Sequence, residues 1–338
     1  METKIFKEED DLQEAGELIR HGGLVAFPTE TVYGLGASAF DDAAAKKIYE
    51  AKGRPSDNPL IVHVADFEQI DEVARDISED ARRLINRFMP GPITLILKKK
   101  PCVSEGVTAG LDTVGVRFPS NKIAQKFIKA AGVPIAAPSA NISGKPSPTA
   151  AQHVIDDMSG RIDAVIDGGR CDVGVESTIV DTTGEVCTVL RPGGVTIGML
   201  SEVIPNIRLD KNITSAVGAD EKPKCPGTKY KHYSPDASVT VIEGERSGVV
   251  KRIKELIAQN RDKTIGVLFM YDAVYDDAIM LKAGENCEEY AHNLFNALRE
   301  FDRLGADIVY AEFTETDDFA PAVKNRLYKA AAYKVEHI

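Results

Sequence analysis

Lys52-Gly53-Arg54-Pro55-Ser56-Asp57-Asn58-Pro59-Leu60 sets two cations around a glycine and follows them with two prolines. Proline removes a backbone donor and glycine weakens helix and strand alike, so this is neither a helix interior nor a central strand. It reads as a stiff loop that presents charge. Upstream, Asp42 to Ala51 has the pattern of a helix with Asp41 as its N-cap, and downstream Leu60-Ile61-Val62-His63-Val64 is an apolar run of buried-strand character. Both cations are therefore held between a helix end and a strand start. A compact lysine charge and a planar arginine fork suit an anionic ligand, phosphate above all, and Asn58 adds neutral donors and an acceptor. A solvated turn would carry the same residues.

Moving towards the N-terminus, Leu12 to His21 predicts a helix ended by Gly22-Gly23, and Leu24-Val25-Ala26-Phe27 a buried strand. Pro28-Thr29-Glu30-Thr31-Val32-Tyr33-Gly34-Leu35-Gly36 then places hydroxyls, a carboxylate and a phenol directly after that strand, with glycines that permit close backbone approach. Moving the other way, Ser78 caps a helix running to Phe88, Ile93 to Leu97 is a strand, and Thr113 to Pro119 alternates like another. That strand places Arg117 among apolar residues, where a lone guanidinium is costly unless it meets an anion, either a ligand or a structural Asp or Glu. Lys122 to Ala131 is a helix, and Pro134 to Ala137 a short strand. It feeds Pro138-Ser139-Ala140-Asn141-Ile142-Ser143-Gly144-Lys145-Pro146-Ser147-Pro148-Thr149, a rigid polar loop in which Thr149 caps a following helix through Ile155. Val165 to Gly169, Ser177 to Asp181 and Val186 to Leu190 are further strands, with Arg191-Pro192-Gly193 presenting one more cation.

The 338 residues, 43% hydrophobic, are enough for two domains with cores of their own. Five scattered cysteines with no C-x-x-C pair point away from a disulfide framework or a zinc site and fit a reducing cytosol. No stretch has the composition of a signal or a membrane span. The net charge of -11, about -8 of it in residues 1–204, argues against non-specific binding to a nucleic-acid backbone. Against that background Lys222-Pro223-Lys224-Cys225-Pro226-Gly227-Thr228-Lys229-Tyr230-Lys231-His232-Tyr233-Ser234-Pro235 stands out as basic, aromatic and proline-rich: a linker, or a strap able to lie across a nucleotide. From residue 238 strands at Val239–Ile242, Thr264–Leu268 and Ile308–Glu312 alternate with helices at Val249–Asn260, Tyr290–Leu304 and Ala320–Tyr333, with Leu294, Leu298, Phe301 and Leu304 on one helical face. The pattern predicts a small parallel sheet flanked by helices, without a G-x-G-x-x-G or a Walker A sequence.

The Pro28 to Gly36 motif, the Lys52 to Leu60 loop and Pro138-Ser139-Ala140-Asn141, in that order, resemble the YrdC family, specifically its threonylcarbamoyl-AMP synthases. The likeness runs over roughly residues 5 to 204, includes Gly174-Val175-Glu176-Ser177-Thr178, and returns in the P-G-x-K-Y-x-H-Y stretch at 225–235, which marks the longer, two-domain members. It implies an α/β fold with a twisted mixed sheet and helices around a deep cleft over residues 1–204, a linker or strap at 205–237, and a small Rossmann-like C-terminal domain at 238–338. It also implies synthesis of threonylcarbamoyl-AMP and pyrophosphate from L-threonine, bicarbonate and ATP with Mg²⁺. That is the first step of threonylcarbamoyl-adenosine modification of tRNA, in the cytoplasm and upstream of tRNA-modifying partners.

By that resemblance Lys52 and Arg54 act on the reacting phosphate. Asn58, Thr113, Ser139, Asn141, Ser147, Arg191 and Tyr230 join them in holding ATP, while Thr31, His63, Arg117, Ala137 and Ser177 hold threonine. His63 equally fits a satisfied histidine inside a strand. Two other functions remain on the sequence: a double-stranded RNA-binding module, which the acidic charge disfavours, and a carbamoyl-transfer domain like that of hydrogenase maturation proteins, whose acylphosphatase and zinc-finger segments are absent.

Overall fold

The computed structural model describes residues 2–213, 225, 232–270 and 273–338. The chain forms two compact units, the first from Met1–Ser143, Ser147–Asp172 and Glu176–Lys229, the second from Gly144–Pro146, Val173–Val175 and Tyr230–Ile338. In the first, the described residues give twelve strands: β1 (Lys4–Lys7), β2 (Val25–Phe27), β3 (Gly34–Ser38), β4 (Ile61–His63), β5 (Ala74–Arg75), β6 (Ile93–Lys99), β7 (Thr113–Arg117), β8 (Ile135–Ala137), β9 (Ala164–Asp167), β10 (Thr178–Asp181), β11 (Thr188–Arg191) and β12 (Arg208–Leu209). They form one mixed sheet in the order β1-β9-β2-β3-β8-β4-β7-β6-β10-β11-β12, with β5 added on β6.

Alternation along the strands explains how this sheet buries both faces. In β2, β8 and β9, Phe27, Ile135, Ala137, Ala164 and Ile166 enter one apolar cluster with Phe127 and Ile128. Their neighbours Ala26, Ala136 and Val165 enter a larger one with Tyr33, Ile48, Leu95 and Val116 on the opposite face. Ile61, Ile96 and Ile179 form a third, smaller group. Ile61 pairs with Ala137 and His63 with Ile135 across β4 and β8, so the third group shares the face of the first. On that face β4 contributes His63, and β7, paired with it in parallel register, contributes Arg117.

The helix expected before the cationic loop spans Asp42–Lys52, and Asp41 caps it by accepting from the Ala43 and Ala44 amides. Gly53 ends it in the left-handed region at φ 62°, a conformation that costs glycine nothing. Ser78 likewise accepts from the Ala81 amide at the start of Glu79–Phe88. One expected cap is corrected. The helix after the polar loop is Ala151–Met158 with Ala150 at the N-cap, and the Thr149 side chain does not cap it. Instead the Thr149 amide donates to Nδ1 of His153 at 3.2 Å, and Oγ1 is buried with no hydrogen-bond partner.

In the second unit β13 (Ser238–Glu243), β14 (Ile265–Phe269), β15 (Ile279–Lys282), β16 (Ile308–Phe313) and β17 (Val335–His337) form a parallel sheet in the order β15-β14-β16-β13-β17. Helices Arg246–Gln259, Cys287–Arg303 and Ala320–Ala330 join them. Leu294, Leu298 and Phe301 are fully buried, but Leu304 lies one residue beyond its helix and is exposed, a correction to the expected apolar face. Among the described residues no helix is long and apolar enough to cross a membrane.

Candidate active site

Backbone hydrogen bonds stitch the three separated motifs into one wall. Leu35 N–H donates to Pro138 O at 2.9 Å, Ala140 N–H to Tyr33 O at 2.8 Å and Tyr33 N–H to Pro148 O at 2.9 Å, while Ser143 N–H reaches Lys52 O at 2.9 Å. Lys52, 3% exposed, turns its ammonium under the serine loop and donates to Ser139 O at 2.5 Å and Asn141 O at 2.6 Å. Ser139 Oγ in turn donates to Asn141 Oδ1 at 2.5 Å. Lys52, Ser139 and Asn141, expected to act together, are thus in direct contact, and the cation fixes the loop by its main chain.

Arg54 folds back over its own loop, donating to Asn58 O at 3.1 Å, with its guanidinium 5.8 Å from the Tyr49 ring. Tyr49, buried and with its pKa pushed up to about 12 by that burial, places its hydroxyl 3.0 Å from the same carbonyl. The Asn58 side chain is fully buried, yet neither its amide nitrogen nor its oxygen has a hydrogen-bond partner. A buried polar group in that state marks a place where a ligand or ordered water completes the bonding.

Arg117, 4% exposed, answers the question the sequence left open: its Nη2 lies 2.9 Å from Glu30 Oε1 and 3.3 Å from Thr29 Oγ1. The ion pair is close without hydrogen-bond alignment, and both Glu30 oxygens and Arg117 Nε remain without a hydrogen-bond partner. Thr29 Oγ1 lies 2.9 Å from Thr31 Oγ1. His63 is buried beside them, edge-on to Phe27 at 5.6 Å, with Nδ1 3.0 Å from Ile61 O. A carbonyl only accepts, so Nδ1 carries the proton in that contact. Burial, reinforced by the Arg117 charge, lowers the His63 pKa to about 3, so the ring is neutral at physiological pH. Burial also pushes the nearby Cys171 thiol well above its ordinary range.

A third cluster forms where β10 begins. Arg191, at the end of β11, donates from Nε and Nη2 to Ser177 O at 3.1 and 3.0 Å and from Nη2 to Ser177 Oγ at 3.2 Å. Ser177 Oγ is also 2.7 Å from Thr94 Oγ1. Gly193 allows this approach, since a Cβ there would stand 2.3 Å from Glu176 O. Ser147 Oγ, buried, donates to Glu176 Oε1 at 2.6 Å. Ala137 ends β8 opposite Ile61, and Thr113 begins β7 opposite Lys98, on the same face of its strand as Arg117. Tyr230 lies outside the described residues, as does most of the basic linker.

Glu30, Thr29, Thr94, Glu176 and Tyr49 belong to these clusters without having been assigned roles from sequence. For Glu30 the signal was incomplete: a buried arginine needs an acid, but Asp57 and Glu176 lie nearer to Arg117 in the sequence than Glu30 does. Among the described residues no group of three or more His, Cys, Asp or Glu side chains is placed to hold a metal ion. The chemistry on offer is anion binding, by Lys52, Arg54, Arg117 and Arg191, around neutral donors and acceptors.

Residues 17–193 match the Sua5/YciO/YrdC family model, described as telomere recombination, and residues 195–332 match a second, described as the threonylcarbamoyl-AMP synthase C-terminal domain. A threonylcarbamoyl-AMP synthase of Pyrococcus abyssi is 48% identical over 97% of this chain and 96% of its own. One of Bacillus subtilis is 45% identical over 96% and 94%. The crystal structure of P. abyssi Sua5 complexed with L-threonine superposes with a TM-score of 0.94 at 46% identity, covering 100% of both chains. With both family models matched in order along the chain and relatives this similar over nearly its full length, the chain belongs to the Sua5/YciO/YrdC family, in the two-domain form of its threonylcarbamoyl-AMP synthases.

Proposed function

We propose that this chain is an L-threonylcarbamoyladenylate synthase: it joins L-threonine, bicarbonate and ATP into threonylcarbamoyl-AMP and releases pyrophosphate. The observation that carries the proposal is the joining of three distant polar motifs by backbone hydrogen bonds, with buried polar atoms of Asn58, Glu30 and Arg117 to which no described residue makes a hydrogen bond. Relatives of the same length bear this activity by name, and one has been crystallised with L-threonine.

In this reading threonine places its carboxylate on Arg117 and its hydroxyl among Thr31, Ser177 and the neutral His63 ring, against Ala137. The proton of its ammonium converts bicarbonate to carbon dioxide and water, the free amine adds to that carbon dioxide and gives a second proton to water, and an oxygen of the resulting carbamate attacks the α-phosphorus of ATP as pyrophosphate leaves. The barrier is mainly one of negative charge brought together, so fixed cations contribute more than proton transfer does. Lys52, Arg54 and Arg191 supply that charge, and Asn58, Thr113, Ser139, Asn141, Ser147 and Tyr230 hold the nucleotide. Mg²⁺ accompanying ATP would be held by the nucleotide rather than by side chains of this chain, and would supply charge to offset the leaving pyrophosphate. The product is a mixed anhydride that water destroys, so a transferase acting on tRNA has to consume it promptly. The test is pyrophosphate release with each substrate omitted in turn: release should need ATP, threonine and bicarbonate together, and release indifferent to threonine would overturn the proposal.

A further inference from the structure

We propose that Glu30 holds the α-amino group of the amino-acid substrate, which makes the buried Glu30 and Arg117 pair a receptor for a zwitterion; the inference rests on the reading that this site takes threonine. Glu30 is 4% exposed and 2.9 Å from Arg117, yet neither of its oxygens accepts a hydrogen bond. A carboxylate taken out of water is costly unless its lone pairs are filled, and one ion-pair contact fills few of them. Its backbone is fixed in a tight turn, where Thr29 Oγ1 accepts from the Thr31 and Val32 amides at 3.2 and 3.3 Å and donates to Val32 O at 2.6 Å. The carboxylate is therefore held in place with bonding capacity to spare.

Geometry and charge both match an α-amino acid. Its nitrogen and carboxylate carbon are only about 2.5 Å apart across the two bonds at Cα. A substrate whose carboxylate sits on the Arg117 fork thus brings its ammonium within reach of Glu30. The pair is neutral, and so is a zwitterion, so binding adds no uncompensated charge to a buried site. An acid lacking the amine would add one negative charge beside Glu30, and the site should reject it for that reason.

The test compares binding of L-threonine and of 3-hydroxybutyrate, which is threonine without its α-amine, to the full-length protein by calorimetry. The wild type should prefer threonine by about 10- to 100-fold, the worth of a hydrogen bond to a charged group. Glu30→Gln, shown folded by circular dichroism, should lose threonine affinity by a similar factor and leave 3-hydroxybutyrate unchanged or tighter, so that the preference collapses. Glu30→Asp, which keeps the charge, should retain part of it. A role limited to neutralising Arg117 would instead shift both acids alike, towards tighter binding as the arginine loses its competing carboxylate, and leave the preference at its wild-type value. A folded Glu30→Gln with the wild-type preference would overturn the inference, and so would a wild type that binds both acids equally, a result that needs no variant to fold. A wild type that binds neither would overturn the threonine reading itself, and this inference with it.

Discussion

Lys52 carries both charge and architecture, since its ammonium is spent on the carbonyls of Ser139 and Asn141 and so sets the shape of the loop it also makes electropositive. Replacing it by alanine should lower turnover by about 10²- to 10³-fold, the range for removing one preorganised electrostatic donor. Steady-state rates of a variant whose circular dichroism matches wild type check this, and near wild-type turnover would count against the assignment. His63 gives a prediction about pH. Its pKa falls from 6.5 to about 3 on folding, so between those values the unfolded chain binds a proton that the native state refuses. Its contribution to stability is complete above about pH 6.5 and is lost as pH falls, by up to about 1.4 kcal/mol per unit. Urea unfolding at pH 7 and pH 5 should therefore show wild type losing up to about 2 kcal/mol more than His63→Gln; equal losses would mean the ring is not held neutral. At this scale the sequence was informative about residue types and silent about partners. Arg117 was recognisably in need of an anion, but whether ligand or carboxylate supplied it depended on a residue far along the chain, since Glu30, between β2 and β3, is brought to Arg117 only by the fold.

Helices and strands were legible where local chemistry marked their ends. Asp41, Ser78 and the Lys122–Ala131 pattern were placed correctly because caps and 3.6-residue periodicity act within a few residues. Thr149 was not, because the chain after Pro148 enters its helix through an extended Ala150 and leaves the hydroxyl to one side. The short β15 and β17 were missed too: four and three residues at the sheet edges, partly exposed, give no alternation to read. The turn after β11 makes a sharper test. A methyl group at Gly193 would meet Glu176 O at 2.3 Å and Thr178 N at 2.5 Å, both backbone atoms. Gly193→Ala should cost about 1–3 kcal/mol in stability, as overpacking does, and displace Arg191 from Ser177. Thermal unfolding paired with an ATP titration measures both; a variant unchanged in either respect would show that this approach is not required.

The whole molecule combines a large mixed sheet buried on both faces with a separate parallel sheet; the second was readable from its repeating strand and helix pattern, whereas the first was expected only from the family resemblance. Site membership was harder to read than fold, since motifs close in space are scattered in sequence and their convergence depends on strand order β3-β8-β4-β7, which no local signal encodes. The net charge of -11 belongs to this scale as well. It disfavours binding to a nucleic-acid backbone, whereas a small polyanion such as ATP needs only a few local cations, and Lys52, Arg117 and Arg191 are buried in the first unit. The most direct measurement supplies ATP with Mg²⁺, L-threonine and isotopically labelled bicarbonate, and examines the nucleotide products by mass spectrometry. Threonylcarbamoyl-AMP bearing the labelled carbon should form together with pyrophosphate. Conversion of ATP to AMP or ADP with no threonine-containing, labelled nucleotide would contradict it.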